Sequence, residues 1–139
     1  ERFIHLGLGA KAEVLPPFTG MEWYEAYGAR AAADGAEGRL VSQYTFSESW
    51  TSWEMHPAGS EVVICVAGSM VLVQEFPDGR HESVPLAAGD YAINPPGVWH
   101  TADVPPSTTA TASVLGGTGR APGRRRIGRR CCSVAAAVA

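Results

Sequence analysis

The sequence lacks the features that mark secreted, disulfide-rich and membrane proteins. It has three cysteines, one inside a predicted strand and two adjacent near the C-terminus, which is no disulfide framework. Its apolar runs are too short to cross a bilayer, and the N-terminal stretch has no basic region followed by an apolar block. We therefore expect no signal peptide and no membrane partner, with the cytoplasm as the default location.

Several catalytic signatures are also missing, and basic residues are scarce outside the C-terminal region. We find no serine-histidine-acid order, no phosphate-binding loop and no reactive-cysteine motif. Six of the 11 basic residues are arginines between Arg120 and Arg130, which leaves 5 basic against 14 acidic residues elsewhere, a balance of -9. Because nucleic-acid binding requires a basic surface, an acidic body argues against a nucleic-acid partner.

What the chain does have is enough apolar material for one domain. Its 139 residues are 45% hydrophobic, which suffices for a real core. Thr19 and Glu22 stand in capping-box spacing, and the aromatic spacing that follows predicts a helix over residues 20–33, packed outside the main core. We divide the chain into an N-terminal extension (1–38), a β domain (39–115) and a basic tail (116–139).

Beyond Gly38 the pattern changes from helical to strand-like. Short runs of strand-forming residues alternate with turn residues, and a tight turn is expected at residues 67–69. The regular spacing indicates an all-β fold, an antiparallel sandwich or barrel. The predicted strands cover residues 40–46, 49–56, 62–66, 70–76, 81–86, 91–94, 98–103 and 108–115.

The basic tail does not fit this plan. Residues 116–139 have no usable period, and residues 108–113 are poor in large apolar side chains for a closing strand. Three interpretations compete: a disordered basic tail, the product of a reading-frame error in a GC-rich gene, or an arm that binds an anionic surface.

Polar side chains at the ends of two strands are the candidate functional residues. Glu54 and His56 share one face of their strand, Glu61 opens the next strand, and His100 follows a Pro-Pro-Gly turn. If these faces line the interior of a barrel, the four side chains converge at one end of it. Two imidazoles with one or two carboxylates form a usable site for a divalent ion, and occupancy should fall in acid because the imidazoles must be neutral to bind.

The remaining histidines and Cys65 are interpreted as having no catalytic role. His5 lies in an extended segment and His81 follows a hairpin turn, so both are expected to face solvent. Cys65 is expected to be a small core residue, since it lies inside an apolar strand.

The joint spacing of two motifs resembles the cupin superfamily over about residues 40–115. The first motif is carried by a histidine, a glutamate and a glycine, and the second by glycines, a proline and a histidine: His56, Glu61, Gly68, then Gly89, Pro95, Gly97 and His100. The resemblance implies a single-domain jelly-roll barrel and one divalent metal ion, with Fe, Mn, Zn and Ni all open. It also implies a homodimer.

The chain departs from the cupin pattern at two positions. Glu54 stands where the first histidine is usual, and Val104 stands where an asparagine is expected. Glu54 can replace the histidine as an oxygen ligand, act beside a three-ligand ion as a catalytic acid or base, or mark a weakened site.

Two functions follow from the resemblance. The first is a small metal-dependent enzyme, a dioxygenase, isomerase or decarboxylase of cupin type, acting on a sugar, a diketone or an oxo acid. Trp50, Tyr91 and Ile93 are then candidates for the wall of its pocket. The second is a non-catalytic cupin that binds or senses a small ligand.

Overall fold

The structure, a computed structural model, describes residues 3–117 and 123–125. The described residues contain one α-helix, two short 3-10 segments and ten β-strands that pair antiparallel. In chain order the helix and the strands are β1 (Ile4–Gly7), β2 (Lys11–Val14), α1 (Glu22–Ala31), β3 (Arg39–Phe46), β4 (Ser52–Trp53), β5 (Glu61–Glu75), β6 (His81–Ala87), β7 (Tyr91–Asn94), β8 (Trp99–Asp103), β9 (Ala110–Gly117) and β10 (Arg124–Arg125).

The long strand β5 connects the two halves of the β domain. Its first half pairs with β7 and β9, and its second half pairs with β6 and β8. The β5–β9 register shifts between Cys65 and Ala67, and such an irregularity bends a strand where it leaves one set of partners for another. The all-β, jelly-roll prediction is confirmed.

The turn predicted at residues 67–69 is wrong, because β5 runs through it without a break. Gly68 has the turn-like φ of 74°, but what it allows is a close approach of the neighbouring chain. A Cβ at this position would collide with the carbonyl oxygen of Thr109, just before β9. A glycine is therefore required here by packing as well as by backbone conformation.

The main core lies inside the β domain and is built from small and medium side chains. Cys65 is fully buried in it, as predicted. Ala110 and Ala112 of β9 are also fully buried, so the small side chains of the closing strand match the room available. The buried core residues are Val63, Cys65, Met70, Leu72, Leu86, Ala92, Ala102, Val104, Ala110 and Ala112.

The helix packs over a second, separate aromatic cluster, as the sequence predicted. It buries Trp23, Tyr27 and Ala31 against Phe3 and Leu15, and it continues into a 3-10 segment at Ala32–Glu37. The predicted capping box of Thr19 and Glu22 is not formed. The helix has no side-chain cap, because the turn is closed through the backbone instead: the Trp23 N–H donates to the Gly20 carbonyl oxygen at 3.1 Å.

The N-terminal extension continues the sheet. Strands β1 and β2 form a hairpin, and β1 also pairs with β3. This pairing buries His5, which is only 4% exposed, so its predicted solvent exposure is wrong. The His5 ring contacts Asp34 Oδ2 at 2.6 Å and the Tyr27 hydroxyl at 2.9 Å. His81 is exposed, as predicted, with 56% of its side chain accessible.

The strand predicted at residues 49–56 is much shorter in the structure. Only Ser52–Trp53 form a strand, and its partner is β10. Two arginines of the predicted tail therefore lie against the β domain. The interpretations of the rest of the tail fall on residues 118–122 and 126–139, outside the described residues. Within the described part of the chain, no helix is long and apolar enough to span a bilayer.

Candidate metal centre

The structure brings all four candidate side chains to one place. Glu54 and His100 exchange two backbone hydrogen bonds, of 2.8 Å and 2.9 Å. The Gly97 N–H donates to the carbonyl oxygen of His56 at 3.0 Å, so the Pro-Pro-Gly turn is joined to the first motif as well. Glu61 enters the same region as the first residue of β5.

Glu61 lies between the two imidazoles. Its Oε1 is 3.0 Å from His56 Nε2, and its Oε2 is 2.9 Å from His100 Nε2. The two rings are nearly parallel, with an interplanar angle of 17° and centroids 5.8 Å apart. Both histidines thus present the same ring nitrogen to one carboxylate.

Glu54 completes a group of side chains that could hold a metal ion. One ligand atom each from Glu54, His56 and His100 lies within 4.8 Å of the others. Glu61 contacts both histidines of this group. The predicted residues are therefore neighbours, and their roles as ligands remain a prediction.

The centre is deeply buried on one side. His100, Glu61 and His56 are 0%, 2% and 8% exposed, whereas Glu54 is half-buried. Burying a carboxylate is costly unless it is hydrogen-bonded or paired with charge. Asn94 Nδ2 supplies one such bond, donating to Glu61 Oε2 at 2.8 Å.

Asn94 is in turn held by Gln74, and neither amide was identified from the sequence. Gln74 Nε2 donates to Asn94 Oδ1 at 2.6 Å and to the Ile93 carbonyl oxygen at 2.8 Å. Both amides are almost completely buried. The sequence did carry a signal for both amides, because side chains two residues apart in a strand share a face. Asn94 lies two residues after the buried Ala92, and Gln74 lies two residues after the buried Leu72.

The histidines keep Glu61 ionised. Burial opposes ionisation of this carboxyl, but its contacts with His100 and His56 outweigh burial and hold the pKa of Glu61 well below its usual range. A carboxylate is therefore available here at neutral pH. The Nδ1 of His100 faces the Val98 carbonyl oxygen at 3.4 Å. In the tautomer with its proton on Nδ1, the Nε2 lone pair would be free to bind a metal ion in place of the contact with Glu61.

A cleft of about 980 Å³ opens beside the centre and extends toward α1 and β3. Glu54, His56 and Glu61 line it, whereas His100 lies behind them. At Gly116, a Cβ would stand 3.4 Å from Glu61 Oε1 and 3.6 Å from His56 Cε1. The glycine therefore leaves open space next to the carboxylate.

The wall of the cleft agrees only partly with the prediction. Trp50 lines it, as expected. Tyr91 and Ile93 do not, and they are 64% and 52% exposed, because β7 turns Ala92 and Asn94 inward instead. The aromatic residues that sequence reasoning missed come from α1 and β3, and no local pattern places those elements over the mouth of the β domain. The aromatic lining is Tyr24, Tyr27, Tyr44, Phe46 and Trp50.

The chain resembles solved structures but matches no family model and no curated protein. An oxalate oxidase matches with a TM-score of 0.55 and 16% identity over 66% of this chain and 48% of that one. Peruvianin-I, a cysteine peptidase from Thevetia peruviana latex, matches with a TM-score of 0.52 and 20% identity over 63% of this chain and 55% of that one. The coconut allergen cocosin matches with a TM-score of 0.50 and 11% identity over 57% of this chain and 22% of that one.

These similarities establish the fold. Oxalate oxidase is a member of the cupin superfamily, and the chain has the cupin fold that its motifs predicted. It spans about half the length of the first two structures. Identities this low do not transfer an activity, because one fold supports many functions.

Proposed function

We propose that this chain is a metal-dependent cupin enzyme acting on a small polar organic molecule that binds in the cleft. The fold and the His/Glu group support metal binding. In the proposed site Glu54, His56, Glu61 and His100 hold one divalent ion. The observation that carries the proposal is the convergence of two imidazole Nε2 atoms on the Glu61 carboxylate, with Glu54 within ligand reach.

The spacing of the donor atoms fits an ion. Ligands held at right angles on bonds of about 2.1 Å are about 3.0 Å apart. The two Nε2–oxygen distances are 3.0 Å and 2.9 Å. The His100 contact is short, yet the buried Nε2 makes no hydrogen bond of normal geometry with any described residue. A short contact that is not a hydrogen bond is expected when both atoms point at a shared cation.

The residues around the centre would keep the ligands in place. Asn94 and Gln74 orient the Glu61 carboxylate, and such contacts tune metal sites as strongly as some ligands do. A bound divalent ion would polarise a carbonyl, carboxylate or enediol oxygen of the substrate. Sugars, diketones and oxo acids all carry such oxygens.

Glu54 has two possible roles in this site, as a ligand or as the group that moves a proton. It is the most exposed of the four side chains and faces the cleft, where a substrate would bind. Both roles need a carboxylate beside the ion, so the structure supports a functional Glu54 more than a weakened site.

The alternative function is a cupin that binds or senses a small molecule without turnover. One observation favours it: Glu61 already contacts both histidines and Asn94, as a purely structural polar cluster would. A screen of sugars, diketones and 2-oxo acids with metal-loaded protein separates the two functions. Turnover supports the enzyme, and saturable binding without turnover supports the sensor.

Elemental analysis of protein purified without chelators tests the metal proposal. We expect close to one equivalent of a divalent ion in the wild type, and loss of metal in Glu54→Ala if Glu54 is a ligand. If Glu54 is instead the acid-base group, this variant should keep its metal and lose activity. Glu48→Ala is the matched control for metal content alone, because Glu48 lines the same cleft outside the group. Wild-type protein that takes up no divalent ion even after dialysis against one would contradict the proposal.

A further inference from the structure

The cleft beside the metal centre is acidic. Five glutamates line it, and none of the described lining residues is a lysine or an arginine. Its volume of about 980 Å³ is ample for a small organic molecule. The five glutamates are Glu22, Glu25, Glu48, Glu54 and Glu61.

Three of these carboxylates remain to act on a ligand. Glu54 and Glu61 are the proposed ligands, and their two negative charges balance a divalent ion. Glu22 and Glu25 belong to α1, and Glu48 follows β3. All three are exposed, and within residues 3–117 and 123–125 none of them forms an ion pair. Among the described residues, no basic side chain offsets the negative charge of the outer part of the cleft.

The same cleft carries aromatic rings. The hydroxyls of Tyr24 and Tyr44 are 3.1 Å apart and join α1 to β3 across the cleft. Phe46 packs on Trp50 with ring centroids 5.4 Å apart, and the Trp50 and His100 rings are tilted by 63° with centroids 6.4 Å apart. The faces of aromatic rings attract cations. Carboxylates and aromatic rings that line one cleft form an environment that favours a positively charged organic group.

We propose that this cleft selects a small organic cation, a molecule with an amine or quaternary ammonium group, over anions such as 2-oxo acids. The inference rests on the proposed function, since it narrows the substrate class of that same site. The cation would lie among the rings and Glu22, Glu25 and Glu48, with its polar end toward the metal centre. A free carboxylate would have to approach these three glutamates, and their repulsion disfavours it.

Three molecules of the same shape and different charge test this proposal. Choline, its neutral analogue 3,3-dimethyl-1-butanol and the anion 3,3-dimethylbutanoate are titrated into full-length, metal-loaded protein by calorimetry. We expect choline to bind about tenfold more tightly than the alcohol, because cation–aromatic and charge attraction add to the same apolar contact. The anion should bind more weakly than either, and added salt should weaken choline binding.

Charge-neutral variants locate the effect. Glu48→Gln and Glu22→Gln should each weaken choline binding by about threefold while leaving the affinity for the neutral alcohol unchanged. Glu37→Gln is the matched control, because Glu37 is exposed and lies outside the lining of the cleft. This control should bind choline as the wild type does.

The inference is overturned if choline does not bind, if it binds no better than the alcohol, or if the anion binds best. Metal content, measured in the same samples, separates this failure from failure of the proposed function. Metal-loaded protein without charge selectivity refutes the inference alone. Protein that takes up no divalent ion but still prefers choline supports the charge selectivity of the cleft and contradicts the proposed function.

Discussion

At the scale of single residues, the site depends on how Glu61 is held. One carboxylate faces two imidazoles and also accepts a hydrogen bond from Asn94, and all of these groups are buried. A fixed orientation matters because a metal ligand that can rotate binds less tightly. Asn94 contacts neither histidine in the described interactions, so it can be tested without changing a proposed ligand.

Replacing Asn94 with alanine should loosen both the site and the fold. The substitution removes the donor to Glu61 and leaves Gln74 with a buried amide that has lost a partner, which costs roughly 1–3 kcal/mol. Metal affinity should fall by about 10- to 100-fold. Urea unfolding and metal titration measure the two effects, with the exposed Gln43→Ala as control. Wild-type metal affinity in Asn94→Ala would show that the amide does not orient the carboxylate.

At the scale of elements, β5 decides the architecture because it pairs with four strands. Where β5 passes between these partners, the chain just before β9 approaches Gly68 closely. The free energy of unfolding lost when a side chain is placed at Gly68 therefore measures how closely β5 and the neighbouring chain pack there.

Gly68→Ala should be strongly destabilising. Its φ of 74° is unfavourable for alanine, and the added methyl would collide with the Thr109 carbonyl. We expect a loss of at least about 2 kcal/mol in the free energy of unfolding. Gly59→Ala is the control, since a Cβ there meets nothing within 4 Å and φ is not positive. Equal stability of the two variants in urea would contradict the close approach.

The helix and the N-terminal hairpin form a second element-scale unit, joined through Tyr27, His5 and Asp34. Burial, aided by the charge of Asp34, raises the pKa of Tyr27 to about 12. A raised folded-state pKa means that this stabilisation is complete below the unfolded pKa of about 10 and is lost as pH rises toward 12.

Stability should therefore decline between about pH 10 and pH 12, and less steeply in Tyr27→Phe. Urea unfolding at a series of pH values measures this decline. Tyr91→Phe serves as control, because Tyr91 is exposed. If Tyr27→Phe and the wild type lose stability in parallel, Tyr27 ionisation does not contribute to alkaline unfolding.

At the scale of the whole molecule, the three predicted regions are connected. The hairpin adds to the sheet through β3, and β10 pairs with β4. The division into residues 1–38, 39–115 and 116–139 remains a proposal. So does the homodimer. Sequencing the gene tests the reading-frame interpretation of the tail, since an intact alternative frame encoding an apolar strand would support it.

Arg124 connects the C-terminal region to the β domain. Its guanidinium lies 5.0 Å from the Trp53 ring and 4.8 Å from the Trp99 ring, and its Nη2 is 2.5 Å from Glu75 Oε2. Arg124→Ala should cost about 1 kcal/mol and change the tryptophan emission.

Arg124→Lys is the matched comparison. It keeps the charge but not the planar group that stacks on rings, so we expect it to recover only part of the stability. Thermal unfolding and fluorescence spectra measure both variants. Identical spectra and melting temperatures in all three proteins would show that the Arg124 contact does not hold this region.

Much of this protein can be inferred from local pattern alone. Period-two alternation and turn residues locate most strands, and the motif spacing indicates the cupin fold and names Glu54, His56, Glu61 and His100 as neighbours. These signals are readable because strand geometry and turn conformation act on adjacent residues.

Only the tertiary structure decided what surrounds those residues. The burial of His5, the continuity of β5 through Gly68, the amide support of Glu61 and the helix over the cleft all depend on pairings between distant segments. A sequence states which face of a strand is apolar, but not which neighbour covers it. The packing of the entire chain determines that neighbour. Packing brings together residues that are distant in sequence, and a local hydrophobic period does not identify them.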